Sequence, residues 1–290
     1  MRIPAFVLGI MLVALTVLPG AAATPTAASA LNLVVIGDSI PFAGFCTECE
    51  HAFVDDYALR LEGVLGREVT VINRSRNDGA QLNQIADQVA SEAKLREQLA
   101  DADLVIVSAG INDGPPWPAT HPCGDLKGGA TTRDIIDQML SFTEACLDEE
   151  VAAREEDYRT LFASLTELVP DGTPVVILNA YNSWTGWPEL ATAATPDELA
   201  KVNQAIAYFY DGWNRMECAL AAESGFVCID LYHAFNGPDG AMAAGDLLEL
   251  DYSHPSKKGN ALIADILMEA DLLEDGVATP GTATEATPAA

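Results

Sequence analysis

The feature that most constrains this chain is an alternation of short apolar runs with longer amphipathic stretches. The runs are Leu33–Gly37, Val69–Asn73, Leu104–Ala109, Pro174–Ala180 and Phe226–Leu231. They are continuous rather than alternating, which suits strands covered on both faces. Between them, Val54–Leu65, Gln81–Leu99, Thr131–Leu147, Val151–Leu168, Thr195–Ala222 and Ser256–Leu267 carry apolar residues at helical spacing. In Gln81–Leu99, for example, Leu82, Ile85, Val89, Ala93 and Leu95 fall near one face. Thr195 followed by Pro196 and Glu198 reads as a helix start, and Ser256 can cap the last helix. Strand and helix in turn predict an α/β fold, with helices on both faces of a five-stranded parallel sheet. In such sheets ligands sit beyond the carboxyl ends of the strands.

The two ends stand apart from this pattern. Residues 1–23 have a basic start at Arg2, an apolar stretch from Ala5 to Leu18, a Pro19-Gly20 break and an Ala21-Ala22-Ala23 cleavage site, and so read as a signal peptide. The other reading is an uncleaved anchor, for which the apolar stretch is short against the ~20 residues of a membrane span. Residues 24–30 read as a linker. Residues 276–290, rich in Thr, Pro and Ala, have too few large apolar groups to fold and read as a tail. A single domain is expected over residues 31–275, acting as a monomer outside the cell.

Hydrophobic residues make up 49% of the chain, enough for a sizeable core, which excludes intrinsic disorder. Acidic residues outnumber basic ones 43 to 15, for a formal net charge of −28. That field repels phosphate backbones and anionic bilayers, so neither nucleic acid nor a membrane surface is an expected partner. The 6 cysteines suit an exported, disulfide-bonded protein. Proximity favours Cys46–Cys49, Cys123–Cys146 and Cys218–Cys228 among the many pairings possible. The rival for Cys46-Thr-Glu-Cys49-Glu-His51 is a redox or metal motif. Its acidic neighbours raise thiol pKa, and no second Cys/His pair completes a zinc set.

The strand ends carry the reactive residues. The first run closes on Gly37-Asp38-Ser39, a reasonable position for a nucleophile. A serine hydroxyl needs a base, which His supplies. The candidates are His51, His121, His233 and His254. Asp251-Tyr-Ser-His254 turns just before a helix, so its carboxylate can orient its imidazole. Asp230-Leu-Tyr-His233 has the same spacing but continues from a strand, and extended backbone would hold the two side chains apart. The third run ends in Gly110-Ile-Asn112-Asp113, where Asn112 offers an amide donor of the kind that stabilises an oxyanion. Gly79, after the second run, can bring its backbone N–H to the same place. Taken singly, each glycine motif is an ordinary turn.

In order, Gly37-Asp38-Ser39, Gly79, Gly110-x-Asn112-Asp113 and Asp251-x-x-His254-Pro255 resemble the blocks of the SGNH (GDSL) hydrolase superfamily, in its secreted bacterial form. The resemblance spans nearly all of residues 31–275. It implies a three-layer α/β/α flavodoxin-like fold and a cofactor-free serine esterase or lipase. It makes Ser39 the nucleophile, His254 the general base and acid, and Asp251 its orienting partner. The oxyanion hole would comprise the Ser39 and Gly79 backbone N–H groups and the Asn112 side chain. Asp38 and Asp113 would be structural. The chain departs from the pattern at Ile40, where Leu is common, and in the second block, which supplies only its glycine. Secreted bacterial members often carry three disulfides, in keeping with the six cysteines. The loops Pro115–Ala130 and Asn182–Thr195 carry Trp117, Trp184 and Trp187, which either line an ester pocket or pack the loops. The expected substrate is a small soluble ester or an acetylated carbohydrate. The alternatives are a lipase or lysophospholipase, or a carbohydrate-binding protein that kept the fold, whose mark would be loss of Ser39, Asn112 or His254. A metal-dependent hydrolase would need a clustered His/Asp/Glu set.

Overall fold

The computed structural model describes residues 29–42 and 44–273. The expected signal peptide and the expected tail lie outside the described residues, as does most of the linker. In chain order the elements are β1 (Leu31–Gly37), α1 (Ser39–Phe42), α2 (Phe53–Leu65), β2 (Val69–Asn73), α3 (Leu82–Ser91), α4 (Ala93–Ala100) and β3 (Leu104–Ser108). There follow α5 (Thr132–Ser141), α6 (Glu144–Leu168), β4 (Val175–Leu178), α7 (Pro188–Ala193), α8 (Pro196–Glu223), β5 (Val227–Ile229), α9 (Leu231–Asn236) and α10 (Lys257–Glu269).

The strands form one parallel sheet in the order β2-β1-β3-β4-β5. Both faces of the inner strands β1, β3 and β4 are covered, as continuous apolar runs require, whereas the edge strand β2 is partly exposed. Leu31, Leu33 and Val35 of β1 pack on one face with Val54 and Leu61 of α2 and Ile263 and Leu267 of α10. Val34 and Ile36 pack on the other with Ile85 of α3, Leu161 of α6 and Trp213 of α8. The chain runs outward from β1 to β2, then crosses back past β1 to β3. The crevice of such a sheet opens where the direction reverses, here between the ends of β1 and β3, where Gly37 pairs with Ser108.

Helix boundaries follow side-chain caps more than apolar periodicity. The predicted helix Gln81–Leu99 breaks at Glu92, whose backbone is extended, into α3 and α4. The predicted helix Thr131–Leu147 ends at Ser141, because the Thr143 hydroxyl accepts the Cys146 N–H and starts α6 there. α6 then runs unbroken through the boundary expected before Val151. Strand five is shorter than expected and stops at Ile229. Asp230 caps α9 by accepting the His233 N–H at 3.1 Å. The same turn brings His233 Nδ1 to 2.6 Å from the other Asp230 oxygen, correcting the expectation that extended backbone separates the two side chains.

Candidate active site

The end of β1 passes so close to β3 that a Cβ at residue 37 would lie 1.9 Å from the Ser108 carbonyl oxygen. Only glycine fits there, and the close approach carries Asp38 into the gap. Asp38 is fully buried. One of its oxygens accepts the Ile40 N–H at 3.0 Å, and the other accepts the Gly110 and Ile111 N–H groups at 3.0 and 3.2 Å. Its carboxyl therefore pins the turn carrying Ser39 to the loop carrying Asn112. Burial pushes its pKa up to about 7, against the downward pull of those three donors. Ser39 stands between these contacts as the first residue of α1.

His254 comes from the loop before α10. Tyr252 adopts left-handed backbone, φ 54°, and folds the loop so that the Ser253 and His254 N–H groups both donate to one Asp251 oxygen at 3.0 Å. The second Asp251 oxygen faces His254 Nδ1 at 2.6 Å. His254 Nε2 lies 3.0 Å from Ser39 Oγ. A carboxylate only accepts, so the ring hydrogen sits on Nδ1 and the Nε2 lone pair faces the serine hydroxyl. Partial burial raises the Asp251 pKa, but the His254 and Ser253 N–H groups and the imidazole outweigh it and hold the carboxyl below its ordinary value. Tyr181 donates to the Ser253 carbonyl at 2.5 Å from beneath, and the Phe45 ring stacks on the imidazole with centroids 3.8 Å apart.

The third wall is the β3 loop. Gly110 has φ 114°, and a Cβ there would lie 2.8 Å from the Trp213 ring and 2.9 Å from the Tyr158 hydroxyl. Asn112 follows, and its amide donates to the Ala80 carbonyl at 2.9 Å, beside Gly79. A primary amide has two N–H groups, so this bond leaves a second donor. The Asp113 carboxylate accepts the Leu82 N–H at 2.8 Å and joins the same two loops a second time. Burial pushes the Asp113 pKa up to about 6, against the Leu82 N–H and the Arg154 charge.

Folding thus joins Ser39, Asp251 and His254 in one hydrogen-bonded line, with Gly79 and Asn112 on adjoining loops. His233 forms its own pair with Asp230 elsewhere, and His121 faces Glu150. Trp117 is 2% exposed and packs against Phe142 and Phe209, while Trp184 and Trp187 pack on each other and on the core. The cystines are Cys46–Cys49, Cys123–Cys146 and Cys218–Cys228. Among the described residues no group of three or more His, Cys, Asp or Glu side chains could hold a metal ion. Sequence reasoning missed Phe45, Tyr181 and Arg154. Their ring and helix positions are ordinary in sequence, and only the contacts mark them.

A family model for the GDSL-like lipase/acylhydrolase family matches residues 35–262, most of the chain. The chain belongs to this family. Its chemistry is the hydrolysis of carboxylic esters. Among solved structures, a lipase from a goat rumen metagenome is 20% identical, with a TM-score of 0.58 over 83% of this chain and 97% of that one. An acetylxylan esterase from Geobacillus stearothermophilus is 17% identical, with a TM-score of 0.51 over 86% and 97%. An extracellular lipase from Streptomyces rimosus is 18% identical, with a TM-score of 0.50 over 83% and 100%. These likenesses establish a shared α/β fold. No curated protein matches the sequence.

Proposed function

We propose that this family member is an exported serine esterase that cleaves small carboxylic esters, including acetylated carbohydrates, through an acyl-enzyme. The observation that carries this reading is the line from the Asp251 carboxylate through His254 to Ser39, with contacts of 2.6 and 3.0 Å. Ser39 Oγ attacks the ester carbonyl while His254 Nε2 takes its proton. Asp251 holds the imidazole in the required tautomer and stabilises its charged form. The tetrahedral oxyanion is held by the Ser39 and Gly79 backbone N–H groups and the free Asn112 N–H. His254 then gives its proton to the leaving alcohol, and water repeats the sequence on the acyl-Ser39 ester.

The net charge of −28 supports a soluble, uncharged substrate over an anionic lipid interface. Among the described residues no helix is long and apolar enough to cross a membrane. Three cystines support export, with residues 31–275 as a monomeric domain that works without a cofactor once residues 1–23 are removed. The acetylxylan esterase among the similar folds gives the carbohydrate arm of the reading a natural first substrate.

The test is turnover of p-nitrophenyl acetate and acetylated xylan, with a fluorophosphonate probe as a label. Ser39→Ala should abolish both turnover and labelling. Asn112→Ala should keep the label site and lower kcat by ~10²–10³. Retained turnover in Ser39→Ala, or labelling at a different residue, would overturn the assignment.

A further inference from the structure

One buried cation is left unused by this mechanism. Arg154 lies on the inner face of α6 and is 4% exposed. One terminal nitrogen donates to the Glu150 carboxylate at 3.1 Å and to the Glu150 carbonyl. The guanidinium faces the rings of Phe209, Trp117 and Trp213 at 5.3, 5.4 and 5.6 Å. Glu150 is itself fully buried, and its second oxygen accepts the Cys123 N–H at 2.9 Å. A buried ion pair of this kind adds little stability over well-packed apolar residues of the same volume. What it does supply is a rigid, always-charged donor at a fixed point.

That donor reaches the active-site loop. The second terminal nitrogen of Arg154 donates to the carbonyl of Asp113, and Trp117 Nε1 donates to the same oxygen at 2.9 Å. Two donors on one carbonyl fix the plane of the peptide that follows Asp113. The Asp113 carboxylate is held from the other side by the Leu82 N–H. The residue just before this clamp is Asn112.

We propose that Arg154 is a positioning residue for ester hydrolysis: anchored by Glu150 and its aromatic cage, it clamps the Asp113 carbonyl and so aims the Asn112 amide at the oxyanion. The inference rests on Asn112 serving as an oxyanion donor. Arg154 touches no reacting atom, so its removal acts on kcat through Asn112 and leaves ground-state binding alone.

The decisive measurement is a double-mutant cycle on the full chain, with kcat and KM for p-nitrophenyl acetate and a thermal melt of each variant. Arg154→Met keeps the buried stem and removes the donor. It should lower kcat by about 10-fold with KM within about two-fold, and Arg154→Lys should recover part of that loss. Combined with Asn112→Ala, it should lower kcat no more than about two-fold further, because both changes remove the same function. A folded Arg154→Met enzyme with unchanged kcat, or losses that multiply in the double mutant, would overturn the proposal. If Asn112→Ala alone leaves kcat unchanged, the oxyanion reading itself falls, and this inference with it. Should Arg154→Met not fold, Trp117→Phe decides the matter, since it removes the other donor to the Asp113 carbonyl and keeps a smaller aromatic ring in its place. A kcat drop that vanishes in the Asn112→Ala background supports the clamp, and an undiminished kcat refutes it.

Discussion

At the scale of single residues, the informative group is a buried carboxyl outside the line from Asp251 to Ser39. Asp38 sits beside the nucleophile, yet both its oxygens are occupied by backbone N–H groups of two loops. Its structural role was legible from its motif position, but its partners were not, since Gly110 and Ile111 are some seventy residues away in sequence. With its pKa pushed up to about 7 by burial, the folded protein holds a proton there that the unfolded chain releases near pH 4. The folded state binds more protons across that interval, so this group's stabilisation is complete below about pH 4 and is lost as pH rises towards 7. Asp38→Asn cannot titrate. Urea unfolding at pH 4 and pH 7 should therefore show the variant gaining on the wild type, by on the order of 3 kcal/mol. A difference that stays constant with pH would mean that Asp38 is already ionised in the folded protein.

At the scale of elements, polar caps set where helices begin. Apolar periodicity runs on from Ile136 to Leu147, because α5 and the start of α6 both face the same core cluster. The break between them is marked by the Thr143 cap, whose hydroxyl accepts the Cys146 N–H and whose own N–H donates to Cys146 Sγ at 3.5 Å. Arg154 shows the converse. It lies in the apolar register of Leu147, Tyr158, Leu161 and Leu165, where a charged side chain is not expected to be buried, and nothing in the sequence marks its target on another loop. The same logic applies to α10, which follows directly on His254-Pro255. The Ser256 hydroxyl accepts the Lys258 and Gly259 N–H groups at 3.2 and 3.3 Å and donates to the Asp246 carbonyl at 2.7 Å. Ser256→Ala should lower stability by about 1 kcal/mol, which corresponds to a melting temperature roughly 2–4 °C lower. An unchanged melt would show that the helix starts without its cap.

At the scale of the whole molecule, charge decides how the protein responds to salt. Ion pairs such as Arg133 with Glu198 and Arg159 with Glu223 are solvent-exposed, and such pairs contribute about 0–1 kcal/mol each. With 43 acidic residues against 15 basic ones, carboxylates far outnumber the cations that could pair with them, and their mutual repulsion outweighs the pairs. Raising NaCl from about 0.01 to 0.15 M shortens the screening length from about 30 to 8 Å, so the melting temperature should rise. A fall over that range would put the ion pairs ahead of the repulsion.

What the sequence determined by itself was whatever local pattern controls. The five apolar runs, the helices between them and the reactive residues at the strand ends all follow from side-chain type and spacing within short windows. The ordered motifs then identified the family. The motif order already favoured Asp251-x-x-His254 over the equally spaced Asp230-x-x-His233, and only the tertiary structure decided how that segment reaches the serine. Both bring carboxylate and imidazole to 2.6 Å, and local turn geometry does not tell them apart. His254 reaches Ser39 because β1 packs at the reversal of the sheet and the α10 loop folds over that end, an arrangement between segments 215 residues apart. The clamp from Arg154 to the Asn112 loop is of the same kind, since no short window of the chain contains both partners.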